Sequence, residues 1–439
     1  MIDGGTRILK GGTVVGHDAI GVGDVAVAGG RITAIGDLTG LPAAEVIDCR
    51  GLTLLPGVID SHVHFREPGA LEKEDLESGS RAAVLGGVTA IFDMPNTDPL
   101  TTSAATFADK LARAQRRMHC DFAFYIGATH ENTPQLGELE RLPACAGVKV
   151  VMGSSFATLL VEDDAGVRNI LNVINRRAAF HSEDEYRLRE RIGLRIAGDV
   201  HSHAVWRDDQ CALMCTQRLI ALARDTGKHV HVVHVSTAQE IDLLGANKDI
   251  ATVEVTPHHL TLAAPDCYDR LGTRAQINPP IRDAAHCAGL WRGIAEGVVN
   301  VIGSDHGPQL LADKAKPYPA SQPGMPGVQT LVPIMLDHVN AGRLSLARLA
   351  DLTSAGPARV FGIAGKGRIA VGYDADLTIV DLKRQETITD SWIASRVGWT
   401  PYDGMRVTGW PVGTFVRGHR VMWDGALVTP AQGEAVRFV

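Results

Sequence analysis

VIDSHVHFR, residues 58–66, is an apolar run that leads through His62, a spacer, His64 and a second spacer to Arg66, and Glu67-Pro68-Gly69 breaks it directly afterwards. It reads as a buried β-strand. Successive side chains on a strand alternate faces, so His62 and His64 point the same way at its C-terminal end and can share one metal ion. An isolated pair of this kind also fits a strand carrying two hydrogen-bonded histidines, and the rest of the chain decides between the two.

Runs of the same form recur outward from this one: VTAIFDM (88–94), DFAFYIGA (121–128), GVKVVM (147–152), AAFHS (178–182), VHVVHV (230–235), ATVEVT (251–256) and VVNVIGS (298–304). Segments 74–86, 103–117, 165–176, 208–226, 237–246 and 284–297 carry helical spacing, and the stretch after the third strand is short and contains proline. Strand-length runs alternating with amphipathic segments are the sequence form of βα units. Eight such units predict an α/β protein with a (β/α)8 TIM-like barrel over residues 57–365, and barrels of this type carry their active sites at the C-terminal ends of the strands. The flanks differ. VAVAGGRITAIG (25–36) alternates around Gly29-Gly30, and ADLTIVD (375–381) and GTFVRGHRVMWDG (413–425) repeat that character near the other end. A small β-sandwich built from both termini, residues 1–56 and 366–439, is the expectation.

A chain of 439 residues that is 45% hydrophobic, 21% charged and 5% aromatic reads as a globular protein with one large and one small domain. The net charge of −7, with no basic stripe, argues against a nucleic-acid partner. No apolar stretch is long enough to cross a bilayer, and residues 1–20 lack the regions of a signal peptide, so a cytoplasmic protein with no membrane partner is expected. Seven cysteines without a CxxC pair suit a reducing compartment, and Cys211 and Cys215 are expected to pack on a helix.

The polar residues fall at the strand ends: His62 and His64 on the first, Lys149 on the fourth, His181 on the fifth, His231 and His234 on the sixth, and Ser304-Asp305-His306 after the eighth. Four histidines, a lysine and an aspartate on one barrel mouth could bind two metal ions if the lysine became an anion. An ammonium has no lone pair to offer, whereas the carbamate formed with CO2 would bridge two cations. The other reading of Lys149 is structural, at the cost of burying an unpaired charge.

The succession HVHFREPG, DMPNT, GVKVVMGSS, FHSEDE, HVVHVST, TPHHL, INPPIR and GSDH resembles the cyclic amidohydrolases, and within them the dihydroorotases, from the N-terminal β-region to GWTPYDG at 398–404. HxH alone also fits hydantoinases and allantoinases; Arg66, Asn96 and the NPPIR segment tilt the likeness toward dihydroorotase. The resemblance implies two divalent metals, zinc being expected, on His62, His64, carboxylated Lys149, His181, His234 and Asp305, with Asp305 as catalytic base. It further implies that Arg66 and Asn96 bind the substrate carboxylate and that Asn278 contacts the pyrimidine ring. The activity implied is the reversible cyclisation of N-carbamoyl-L-aspartate to L-dihydroorotate, a small-molecule reaction of pyrimidine synthesis. A guanidinium fork and an amide NH2 suit a carboxylate; the alternatives are a surface salt bridge for Arg66 and a turn role for Asn96. A hydantoinase or allantoinase is the nearest rival, and a silent barrel partnering a transcarbamoylase is a rival of another class.

One departure stands out. Dihydroorotases commonly read DHAPH after the eighth strand, with the last histidine on the substrate, and here Gln309 closes Asp305-His306-Gly307-Pro308-Gln309. Gln309 is the expected substrate contact in its place, able to hydrogen-bond but not to carry a proton. Residues 314–327, rich in Pro and Gly, resemble the family's substrate-proximal loop. Parity places His231 on the strand face opposite His234, packed against a helix. His258 and His259 could line the mouth or be structural, His201 and His203 stay unassigned, and His306 is expected to support the site by a hydrogen bond. Barrel helices and the β-region offer surfaces for a dimer or tetramer.

Overall fold

The computed structural model describes residues 5–16, 19–154 and 159–439. Ser155, the last residue of GVKVVMGSS, and the first four residues of the expected β-domain lie outside these. The eight barrel strands are Val58–Val63, Val88–Asp93, Asp121–Gly127, Cys145–Val151, Ala178–His181, Val230–Val232, Ala251–Val255 and Val301–Ile302. They pair in parallel in chain order. A parallel bridge between Val63 and His306 joins the two ends, where the His64 N–H donates to the His306 carbonyl at 2.8 Å. The eighth strand is shorter than its apolar run because the Val298 and Val299 N–H groups are taken by the Gly293 carbonyl at the preceding helix end.

Alternation explains the packing. Phe122 and Phe124 belong to the cluster between strands and outer helices, whereas Ala123 and Tyr125 join Ile59, Phe92 and Ala179 in the barrel interior. Both faces are apolar, as a sheet covered on both sides requires. Helices Leu76–Leu85, Ala104–Ala114, Asp164–Val173, Asp209–Thr226, Ala238–Gly245 and Ala284–Ala295 fall where the spacing predicts them. Ser103 and Thr237 start theirs with reciprocal capping bonds, and Gly227 at φ +65° ends the longest. The proline-containing stretch yields only two short turns, Thr133–Gln135 and Leu136–Leu139.

The terminal segments form one mixed sheet. Thr53–Pro56 pairs in parallel with Arg7–Val15 and antiparallel with Leu377–Thr387, which stitches N- and C-terminal strands into a single nine-stranded sheet, eight strands in one path and Glu45–Asp48 paired beside Arg7–Val15. Leu9, Val25, Ile32, Leu54, Leu377 and Phe415 are buried in its core. Two parts of 366–439 pack on the barrel instead. Trp399 and Tyr402 lie in a cluster with Ile277, Tyr318 and Met325, below the mouth. At the other end Phe122 exchanges backbone hydrogen bonds with Glu434 and Val436, and Phe438 packs edge-on to Phe92 at 5.6 Å, sealing the base. Among the described residues, no helix is long and apolar enough to cross a membrane.

Candidate active site

At the mouth lies a cavity lined by His62, His64, Lys149, His181, His234 and Asp305, with Arg66, Asn96 and Asn278 beside them. Nine of the ten expected site residues therefore meet in one place. Asp305 Oδ1 lies 3.3 Å from His62 Nε2 and 3.2 Å from His64 Nε2. Across the cavity, His181 Nδ1 and His234 Nε2 are 2.9 Å apart. Lys149 Nζ is buried and has no hydrogen-bond partner among the described residues. Burial pushes its pKa down to about 8, against the pull of Glu254 and Asp305. A buried amine of lowered pKa among imidazoles and a carboxylate is suited to become a carbamate, because only the neutral amine reacts with CO2.

Seven described non-glycine residues have positive φ, and three of them line this cavity: Arg66 at 46°, His234 at 39° and Asp305 at 48°. Such conformations are costly outside glycine and concentrate at functional sites. Each occurs where the chain leaves a strand, so parity counting stops there. This corrects the placement of His231. Its strand ends at Val232, and the left-handed His234 brings both histidines to the barrel interior. His231 is buried there, 2.9 Å from Thr252 Oγ1 and edge-on to Phe361, on the helix Gly356–Phe361 that plugs the base rather than on the outer ring.

Two carboxylates without an assigned role orient the histidines. Glu254 Oε1 accepts from His62 Nδ1 at 2.7 Å and from the His234 N–H at 3.3 Å, and Ser61 Oγ donates to Oε2 at 3.3 Å. Burial raises the Glu254 pKa, but His62 and His231 outweigh it and hold the carboxyl below its ordinary range. A glutamate inside the apolar run ATVEV is the signal that could have marked it. Glu183 receives His181 Nε2 at 3.0 Å and is clamped by Arg207, whose Nη2 donates at 2.5 Å. Partners of this kind fix the ring tautomer and aim the other nitrogen at a metal.

Asn96 Oδ1 accepts from His64 Nδ1 at 2.7 Å, and its buried Nδ2 has no partner among the described residues. His203 Nε2 lies 3.0 Å from both the Ile277 carbonyl and Asn278 Oδ1, so it donates to both and turns the Asn278 amide NH2 away. Arg66 is held by a 3.3 Å bond from Nε to the Pro308 carbonyl. Gln309 does not line the cavity. Its Oε1 accepts from Lys73 at 2.8 Å and its Nε2 donates to the Pro323 carbonyl at 2.9 Å, behind the wall. His258 pairs with Tyr402 Oη at 3.0 Å, and His259 Nε2 donates to the Pro279 carbonyl at 3.1 Å, so both are structural. His201 faces Asp269 at 3.2 Å on the surface, and His306 Nδ1 accepts the Gly327 N–H at 3.0 Å.

The donor set suits hard or borderline divalent cations: His62, His64 and Asp305 place one ligand atom each within 4.8 Å of one another. Residues 53–421 match the amidohydrolase family model. The chain belongs to the amidohydrolase family. This amidohydrolase is 34% identical to the dihydroorotase of Methanosarcina mazei over 431 residues, covering 94% of this chain and 93% of that one. It is 36% identical to the allantoinase of Rubrobacter xylanophilus over 448 residues, covering 98% and 97%. Among solved structures, the L-hydantoinase (dihydropyrimidinase) of Arthrobacter aurescens superposes with a TM-score of 0.94 at 31% identity, covering 100% of both chains. The amidohydrolase is thus an enzyme of the hydrolase class whose relatives differ in substrate.

Proposed function

We propose that this amidohydrolase is a dihydroorotase, closing N-carbamoyl-L-aspartate to L-dihydroorotate and opening the ring in reverse. The observation that carries this reading is the polarity of the cavity opposite the histidines. Arg66, the unpartnered Nδ2 of Asn96 and the NH2 of Asn278 are all donors. A ring carboxylate and a ring carbonyl present acceptors to match. The ureido arm of allantoin offers one carbonyl acceptor but three N–H bonds, which these donors would leave unpaired at substantial cost.

Two divalent cations, zinc being the expected pair, held by His62, His64, Asp305, His181, His234 and a carbamate on Lys149, would acidify a water and polarise the amide carbonyl. Asp305 takes the proton from that water and passes it to the departing ring nitrogen; in ring closure it removes the proton from the attacking carbamoyl nitrogen and hands it to the departing hydroxide, which leaves as water when the C–O bond breaks. Arg66 and Asn96 hold the carboxylate, so the reacting amide is fixed against Asp305. Glu254 and Glu183 keep His62 and His181 in one tautomer through both directions.

A hydantoinase is the second reading, favoured by the apolar lining of Met94, Val151, Leu159 and Ile277, which would accept an apolar ring substituent. Turnover of L-dihydroorotate, hydantoin and allantoin by zinc-loaded and chelated protein tests both. Zinc-dependent turnover confined to dihydroorotate is the expected result. Turnover of the other amides alone would move the substrate, and silence with two metals bound would favour a structural partner of a transcarbamoylase.

A further inference from the structure

Lys314 ends the short helix Leu311–Lys314 in the loop after the eighth strand, and its side chain is buried. Its Nζ donates to three backbone carbonyls: Gln276 at 3.0 Å, Gln322 at 2.8 Å and Gly324 at 3.0 Å. Two other buried lysines face carboxylates, Lys110 meeting Asp93 and Lys366 three aspartates. Among the described residues Lys314 has no ion pair. Three N–H bonds matched by three carbonyls is the geometry of an ammonium, since a neutral amine has two donors and would leave one carbonyl facing a lone pair. Burial pulls the Lys314 pKa well below the usual lysine range, whereas hydrogen bonds made by the charged form favour it.

The three carbonyls belong to two separate walls of the active-site cavity. Gln276 precedes Ile277 and Asn278, while Gln322 and Gly324 flank Pro323; Ile277, Asn278, Pro323 and Gly324 all line the cavity. The walls are further joined by the Gly324 N–H donating to the Gln276 carbonyl at 2.9 Å, and Gly307 N–H to the Met325 carbonyl at 2.9 Å. Contact is so close that a Cβ on Gly324 would lie 2.6 Å from the Gly307 oxygen. None of the metal-site residues rests on this loop except through Asp305 at its root.

We propose that Lys314 is a positioning residue whose ammonium ties the Pro323-Gly324 wall to the Ile277-Asn278 wall and thereby sets the fit of the cyclic substrate. This rests on the cavity being the amidohydrolase active site. Its effect falls on substrate binding more than on chemistry, because the histidines, Lys149 and Asp305 are carried by the barrel strands.

The test uses the metal-loaded full chain and its Lys314→Met variant, which keeps the length and removes the donors. Hydrogen exchange at the Gly307 and Gly324 amides is expected to rise about tenfold while barrel-strand amides and metal content stay unchanged. With the cyclic amide the wild type turns over, KM is expected to rise about tenfold and kcat to stay within about threefold. Unchanged exchange, or a fall in kcat at constant KM, overturns the proposal. Exchange needs no substrate, so it decides the matter even where dihydroorotate is not turned over. If the methionine variant does not fold, Lys314→Ala is prepared with n-propylammonium or n-propanol. Recovery of fold and low KM with the amine alone supports the ammonium, whereas equal recovery with both, or with neither, overturns it.

Discussion

Lys149 and Lys366 are buried at opposite ends of one barrel, and their surroundings give them opposite chemistry. At the base, Lys366 Nζ lies 2.6 Å from Asp121, 2.6 Å from Asp376 and 3.1 Å from Asp374. Burial pulls its pKa down, but the three aspartates outweigh it and hold the ammonium above the ordinary lysine range. At the mouth, Lys149 has no hydrogen-bond partner among the described residues, and burial pushes its pKa down to about 8. A satisfied buried lysine is a bolt between the tail, the sheet and the barrel. An unsatisfied one is a reactive amine.

The largest expected effect breaks the mouth alone. Lys149→Ala should lose metal and lower kcat by about 10³-fold or more, as loss of a metal-assisted nucleophile implies, with partial return on adding a small carboxylic acid. Two metals retained without any added anion would refute the carbamate bridge. Asp305→Asn should lower turnover by about 10²- to 10⁴-fold, the usual worth of a general base, with some metal still bound; near-normal turnover would remove Asp305 from the proton path. Lys366→Met reverses the pattern: about 3–5 kcal/mol of stability lost by stranding buried carboxylates, with kcat per folded molecule unchanged, as denaturant titration beside an activity assay would show.

Glu254→Gln sharpens the comparison within the mouth, because it alters a support rather than a ligand. Metal affinity or activity should fall about 10- to 100-fold, and equilibrium dialysis against zinc would show it; an unchanged dissociation constant would mean His62 needs no anchor. The effect that is smallest per residue is spread over the surrounding scaffold. Burial holds His203 and His258 down to about 3 and His259 to about 4. Below the ordinary pKa of 6.5 the unfolded chain takes up protons that these folded histidines refuse, so stability is full above that pH and drains as pH falls toward 4. Each histidine contributes about 1.4 kcal/mol per pH unit in that window. Denaturant midpoints at pH 7.5 and 5.5 that coincide would show that the three rings reach water.

The barrel and the polar residues gathered at its mouth were legible because most of them sit at the end of an apolar run, where a strand's period and its polar terminus are both local properties. What was not legible depends on distance or on a single backbone angle. Glu254 meets His62 from 192 positions away, a pairing made across the barrel interior. His231 was misplaced because the left-handed His234 ends the alternation one step early. Gln309 lies near the site in sequence, but Lys73 and Pro323 turn it behind the wall, so the residue type that replaces the family's histidine does not carry that histidine's position. The terminal strands were recognisable as hairpins, yet nothing local says that Thr53–Pro56 pairs on both sides and makes one sheet of them.

That pairing gives the nascent chain a waiting time. Thr53–Pro56 leaves the ribosome with one edge paired to Arg7–Val15, while its other partner, Leu377–Thr387, is still to be translated. The 320 residues from 57 to 376 lie between them, so at roughly 5–20 residues per second the edge stays open for about 16–64 s. During that interval the apolar strand Thr-Leu-Leu-Pro is a template for any other strand nearby, and a chaperone that covers it would raise the yield of this protein more than one acting on the finished barrel.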